Sequence, residues 1–276
     1  MVDEVGLQLE AGMVGADVDA HSGSLPSQVP GWQADRVIDV VYTQDGFDVR
    51  LEWGPEGVDA LAGACAVLVI VDVLSFSTAV DVAVGRGARI LPLPWRDEHA
   101  AAAASAAGAI LAGERSWTLR PSSLVDIPAG TFLALPSPNG ATLCRRAADA
   151  GVRVLVGCLR NATAIAMRAQ AIGGPIGVIA AGERWSRDGR PLRPGLEDYL
   201  GAGTIVAAIQ GTTSPEAAVA AQAARSVTDI AATLAECTSG RELIKWGHAG
   251  DVELAGRLDV SGVAPELVDG VLTDAA

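Results

Sequence analysis

Ala66-Val67-Leu68-Val69-Ile70-Val71-Asp72 decides the fold. Six apolar residues in a row, most of them β-branched, predict a short strand buried on both faces, and Asp72 ends it. Ser75, Phe76, Ser77 and Thr78 follow, then a helical pattern from about Ala79 to Arg86. The same order repeats downstream. Arg89–Pro92 is read as a strand before an Ala-rich helix, His99–Ala112, ended by Gly113. Thr131–Leu135 precedes the helix Ala141–Ala150, and Arg153–Gly157 precedes Ala162–Ala171. A fifth strand, Ile176–Ala180, is separated by the polar segment Ala181–Gly195 from the helix Leu196–Ile209. Upstream, Arg36–Leu51 reads as strands turning at Gln44-Asp45-Gly46, Trp53–Gly57 as a loop and Val58–Ala62 as a short helix. Towards the end, Thr212–Ala224 and Thr228–Glu236 read as a helical hairpin, and Gly240–Leu272 as one more helix with irregular structure. Strands alternating with helices at this spacing predict an α/β fold, a largely parallel or mixed sheet covered on both faces. In such sheets ligands sit beyond the carboxyl ends of the strands, so the loops there are where function is sought.

Composition sets the bounds. The chain has 276 residues, half of them hydrophobic but only 4% aromatic, so the core is built from Ala, Val, Leu and Ile. Mean hydropathy is +0.32, yet no run of about 20 apolar residues is free of charge or Gly/Pro clusters, and no membrane span is expected. The net charge of −13 disfavours a nucleic-acid partner, which needs clustered Lys and Arg. Lys245 is the sole lysine and is followed by Trp246, so there is no P-loop. Cys65, Cys144, Cys158 and Cys237 are scattered without metal-ligand spacing and read as free thiols. Residues 1–33, rich in Gly, Asp, Ser and Pro, are expected to be a disordered extension, with one domain over 34–276. The first thirty residues hold acids and no basic residue, unlike a signal peptide, so a cytoplasmic protein is expected. A homodimer is the default for a soluble enzyme.

The strand-end loops share a chemistry. They carry Asp72 with Ser75, Ser77 and Thr78; Ser137, Asn139, Gly140 and Thr142; Asn161 and Thr163; and Glu183, Arg184, Arg187 and Asp188 ahead of Glu197 and Asp198. Singly, such Ser, Thr, Asn and Asp residues are helix caps. Together they can present several helix N-termini to one anion, a phosphate or a carboxylate. Asp72, at the end of an apolar strand, must be paired, hydrogen-bonded or metal-bound. Asp and Glu side chains around a phosphate pocket suit Mg²⁺, which takes oxygen ligands and keeps waters. Other phosphatase chemistries fail on spacing: no cysteine stands six residues before an arginine, and Asp72 is followed two residues on by Leu74, not Asp. None of His21, His99 and His248 is placed for nucleophilic catalysis. Metal-assisted attack by water, or binding without catalysis, remains.

Val71-Asp72-Val73-Leu74-Ser75-Phe76-Ser77-Thr78, Gly113-Glu114-Arg115, Ser137-Pro138-Asn139-Gly140-Ala141-Thr142, Asn161-Ala162-Thr163, Ala181-Gly182-Glu183 and Leu196-Glu197-Asp198-Tyr199 occur in that order, with Asp251 in the closing region. This ordered set resembles the 2-phosphosulfolactate phosphatase family from about residue 37 to 272. The resemblance implies a three-layer α/β/α fold and Mg²⁺-dependent hydrolysis of 2-phospho-3-sulfolactate to sulfolactate and phosphate. It implies Asp72, Glu114, Asn139 and Asn161 as catalytic residues, and Asp72, Glu114, Glu183 and Asp198 as metal ligands. Ser75, Ser77, Thr78, Arg115, Ser137, Gly140 and Arg184 would bind the substrate. The sequence departs from the family pattern where Ser75 replaces an Arg and where Ser116-Trp117 replace a Gly pair. Loss of that Arg bears on sulfonate recognition more than on phosphate chemistry. Two alternatives therefore stay open: a non-catalytic phospho-metabolite or anion-binding protein, and a hydrolase of a non-sulfonated phosphoester on the same scaffold.

Overall fold

The computed structural model describes residues 39–94, 96–113, 116–185 and 191–275. The elements run β1 (Val49–Trp53), α1 (Gly54–Ala62), β2 (Val67–Val71), α2 (Phe76–Gly85), β3 (Arg89–Leu93), α3 (Glu98–Ala107) and β4 (Ile110–Leu111). They continue with β5 (Phe132–Pro136), α4 (Gly140–Asp149), β6 (Arg153–Gly157), α5 (Ala162–Ile172), β7 (Ile176–Ala180), β8 (Glu183–Arg184), β9 (Leu192–Arg193) and α6 (Leu196–Ala208). The chain closes with α7 (Pro215–Ser226), α8 (Ile230–Glu236), α9 (Thr238–Lys245), α10 (Ala249–Ala255), β10 (Pro265–Val268) and β11 (Val271–Asp274).

Among the described residues nine strands form one mixed sheet in the order β1-β7-β2-β6-β10-β11-β3-β5-β4, and β8 and β9 form a separate hairpin. Side chains of β2 alternate between the two faces. Val67, Val69 and Val71 join Ile165 of α5, Leu200 and Ile205 of α6 and Ala220 of α7 in one buried cluster. Leu68 and Ile70 join Leu61 of α1, Phe76 and Val80 of α2 and Leu143 of α4 in another. Helices therefore cover both faces, and the fold is the expected three-layer α/β/α. No helix among the described residues is long and apolar enough to cross a membrane.

The strands read from the central apolar runs agree with the structure, and β6 and β7 match to the residue. The differences have local causes. Residues 40–43 form a 3-10 turn, not a strand, because Asp39 Oδ1 accepts the Val41 N–H at 3.2 Å and Gln44 takes a left-handed φ of 53°. Trp53–Gly57 is not a loop: α1 starts at Gly54, with Pro55 in its first turn where a missing N–H costs nothing. The Ala-rich helix stops at Ala107, since Gly108 adopts φ 70° and Ile110–Leu111 then pair with β5 as an edge strand. The tail holds two helices, α9 and α10, and the hairpin β10–β11, which lies inside the sheet, antiparallel to β6 and β3. Its turn, Asp269-Gly270, has φ 49° and 79°, the paired positive angles of a type I′ turn.

Both sheet edges are blunted. β4 is only two residues long. On β1, the Gln44 side chain imitates a neighbouring strand: its Nε2 donates to Leu51 O at 2.8 Å and its Oε1 accepts the Leu51 N–H at 3.1 Å. Gln44→Ala is expected to lower stability by about 1 kcal/mol, the net worth of such hydrogen bonds. Urea unfolding checks this, with an unchanged midpoint as the contrary result.

Candidate active site

The site is assembled where β2 and β7 end and where α2, α4 and α6 begin. Asp72 follows β2 directly and is 6% exposed. Its Oδ2 accepts the Gly140 N–H at 2.8 Å, and its backbone is clamped by Ser77, whose N–H donates to Asp72 O at 2.8 Å while the Asp72 N–H donates to Ser77 Oγ at 2.9 Å. This clamp explains why α2 starts at Phe76 and not three residues later. Gly140 is required by space. A Cβ there would lie 2.2 Å from Phe76 Cδ1 and 2.8 Å from Asp72 Oδ2.

Asp198, 3% exposed in the first turn of α6, fastens two strand ends together. Its Oδ1 accepts the Val73 N–H at 2.7 Å and its Oδ2 the Gly182 N–H at 2.8 Å. Glu183, half-buried on β8, accepts from Asn139 Nδ2 at 3.2 Å and from the Arg184 N–H at 2.8 Å. Asn139 does not cap α4 with its side chain; it reaches across to Glu183. Glu197, 4% exposed, lies 3.5 Å from the Cys237 thiol, which burial pushes up to about 11.

These carboxylates repel one another. Burial pushes Asp72 up to about 7, opposed by the Gly140 and Phe76 N–H groups and reinforced by Glu183 and Glu197. Burial likewise raises Asp198 well above the usual carboxylate range, with Glu197 and Asp72 adding to it. None of Asp72, Glu183, Glu197 and Asp198 has an ion-pair partner among the described residues.

Other expected site residues stand elsewhere. Asn161 is fully buried: its Oδ1 accepts the Cys158 N–H at 2.9 Å and its Nδ2 donates to Val263 O at 3.3 Å. It ties a loop and has no free amide atom to offer a substrate. Thr163 donates its N–H and its hydroxyl to Asp259, so the start of α5 already holds a carboxylate. Ser77 and Thr78 are fully buried, with the Thr78 hydroxyl donating to Val73 O at 2.8 Å. Ser137 is 2% exposed, and its N–H extends the β3–β5 pairing by donating to Leu93 O. These polar residues shape the loops instead of facing them. Ser75 differs: it is half-buried at the start of α2, and its hydroxyl has no partner among the described residues. Glu114, Arg115, Arg187 and Asp188 lie outside the described residues.

A divalent cation can be tested against this donor set. Among the described residues no three His, Cys, Asp or Glu side chains already converge on one point. Mg²⁺ requires less, being held through one or two carboxylates with waters and substrate phosphate completing its shell. Asp72 and Glu183 supply hard oxygen donors with uncompensated charge, and they fit that ion. Asp198 fits less well as a direct ligand, because each of its oxygens already accepts a backbone N–H. A cavity of about 830 Å³ beside α5 contains none of these residues. Its charged groups are already committed, Arg168 to Glu266 and Asp259 to Thr163.

Residues 55–270 match the 2-phosphosulpholactate phosphatase family. The chain is 31% identical to the 2-phosphosulfolactate phosphatase of Methanothermobacter thermautotrophicus, covering 78% of this chain and 90% of that one. It is 29% identical to a probable 2-phosphosulfolactate phosphatase of Deinococcus radiodurans over 74% of this chain and 88% of that one. A protein of the same description from Carboxydothermus hydrogenoformans is 28% identical over 72% of this chain and 85% of that one.

Proposed function

Because the chain belongs to the 2-phosphosulpholactate phosphatase family, we propose that it hydrolyses the phosphate ester of a small organic acid, foremost 2-phospho-3-sulfolactate, with Mg²⁺ at the Asp72 site. The protein is a phosphoric monoester hydrolase, which sets aside the non-catalytic reading. The observation that carries the cation is the cluster Asp72, Glu183, Glu197 and Asp198, buried or half-buried without a compensating ion pair among the described residues. An ester carrying phosphate, carboxylate and sulfonate, with up to four negative charges, could not enter such a cluster without added positive charge.

Asp72 and Glu183 would hold the ion, and Glu114 is the third candidate. Bound Mg²⁺ supplies neutralisation of the phosphoryl oxygens and orientation of a water. The chain's own groups do the rest. Asp198 keeps the ends of β2 and β7 in register, and so keeps Asp72 beside Glu183. Asn139 orients the Glu183 carboxylate. The Ser75 hydroxyl is available to donate to a phosphoryl oxygen. Water attacks phosphorus, the bond from phosphorus to the substrate's 2-oxygen breaks, and the proton released by the water ends on the leaving oxygen. The products are the hydroxy acid and inorganic phosphate.

A hydrolase of a non-sulfonated ester is the second reading, which follows from Ser75 standing where the resemblance implies an Arg. Phosphate release from 2-phospho-3-sulfolactate and phospholactate, with Mg²⁺ and with EDTA, tests both. The expected result is release from the sulfonated ester, lost in EDTA and restored by excess Mg²⁺. Release from phospholactate alone would move the substrate. EDTA-insensitive release would overturn the role of the cation, and no release by folded protein would overturn the reaction.

A further inference from the structure

We infer that Arg193 is the specificity-determining cation of this site, receiving the carboxylate or sulfonate that the substrate carries besides its phosphate. The inference rests on the reaction proposed above. Arg115 and Arg184 are the substrate-binding arginines expected from the sequence; Arg115 lies outside the described residues, and the β8–β9 hairpin separates Arg184 from Arg193 by face. Glu183 pairs directly with Arg193, and Arg184 with Leu192. Directly opposed residues of an antiparallel pair leave the ribbon on the same side, with Cβ atoms about 5 Å apart, and the next pair leaves on the other side. Arg193 therefore emerges beside Glu183, the carboxylate that Asn139 links to the Asp72 loop. Arg184 shares its face with Leu192, whose Cδ1 lies 3.2 Å from where a Cβ on Gly54 would stand and 2.9 Å from where one on Gly182 would stand. That face is engaged in packing the hairpin onto the body of the protein.

Arg193 is also uncommitted in a way that most half-buried arginines here are not. Three other half-buried arginines meet carboxylates: Arg146 pairs with Asp59, Arg160 with Asp81, and Arg168 with Glu266. Half-buried Arg184 has no such partner among the described residues, but it stands on the packing face of the hairpin. Half-buried Arg193 has no carboxylate partner among the described residues, although Glu183 leaves the hairpin beside it. Its Nη2 donates instead to a neutral group, Ser239 Oγ, at 2.9 Å. Ser239 is 7% exposed and sits two residues after Cys237, the thiol at Glu197. The guanidinium is thereby anchored on Ser239, and its other N–H groups have no partner among the described residues. A planar fork in that state suits a carboxylate or sulfonate, which it can grip with two parallel N–H donors. A structural guanidinium would be expected to meet the acid beside it.

The test compares wild type, Arg193→Gln and Arg193→Lys on 2-phospho-3-sulfolactate and on 4-nitrophenyl phosphate, which has no second acidic group. Arg193→Gln is expected to raise KM for the sulfonated ester, so that the ratio of kcat/KM between the two esters falls about 10- to 100-fold, the worth of a charge-assisted hydrogen bond. Arg193→Lys should recover part of that ratio, because it restores the charge without the fork. An unchanged ratio, with both esters impaired equally, would overturn the inference, as a structural role predicts. Calorimetric binding of 3-sulfolactate, which lacks phosphate, decides the inference apart from turnover. Wild-type binding weakened about 10-fold or more in Arg193→Gln supports it even if neither ester is hydrolysed. Equal binding, or none by the wild type, overturns it.

Discussion

Replacing Asp72 with Asn is expected to lower kcat for phosphate release by about 10³-fold, within the 10²–10⁴ that a single acid–base or ligand group contributes. Asn preserves shape, and its oxygen can still accept the Gly140 N–H that Asp72 takes at 2.8 Å. What disappears is the negative charge, so the variant separates chemistry from folding. Stability gives the second readout. Asp72 is pushed up from 3.8 to about 7 by burial first, then by Glu183 and Glu197. Between those values the folded protein holds a proton that the unfolded chain has released, so this group makes stability fall as pH rises from about 4 to about 7. Asn carries no such penalty. The Tm of Asp72→Asn relative to wild type, measured without divalent cation, should therefore increase across that window and level off above it. Near wild-type turnover would remove Asp72 from the mechanism, and a Tm difference independent of pH would remove the burial argument.

How much of this was legible in the sequence depends on how local the cause is. The five residues of β2 are all buried, and an unbroken β-branched run ending in Asp announces both the strand and its strained carboxylate. Asn139-Gly140 was legible for the same reason: a polar pair set directly between a buried strand and a helix. Asn161 shows the limit. It occupies the equivalent place after β6, yet its amide turns inward to Cys158 and Val263, because the segment before β10 lies across that loop. The hairpin β10–β11 had a readable turn in Asp269-Gly270, but its four-residue strands are too short for period-two patterning to stand out. Asp198 was legible as an acid in the first turn of a helix, not as a clamp on Val73, which lies 125 positions away. Arg193 carried no local signal. Its place beside Glu183 exists only once β8 and β9 pair, and nothing in either dipeptide fixes that register.

Gly140→Ala is expected to cost about 10²-fold in kcat and about 1–3 kcal/mol in stability, which is the range for overpacking a tight interior. One methyl group produces this because the space does not exist. The added carbon would lie 2.2 Å from Cδ1 and 2.7 Å from Cγ of Phe76, and 2.8 Å from Asp72 Oδ2. Phe76 is fully buried among Ile70, Val80, Leu143 and the other residues of its cluster, so its ring has nowhere to swing. Relief must come from moving the start of α4, which pulls the Gly140 N–H away from Asp72 and shifts Asn139 relative to Glu183. Both consequences fall on the same carboxylates that would hold the cation. An alternative cause, a backbone angle that only glycine adopts, does not operate here: Gly140 is the first residue of α4 and is not among the positive-φ glycines. The two causes predict different rescues. Phe76→Leu removes ring atoms from the collision, so the double variant should regain part of the Tm and of kcat lost in Gly140→Ala, a coupling expected only between residues in contact. Strictly additive losses in the double variant would show that glycine is needed at this position for some reason other than the room between Phe76 and Asp72.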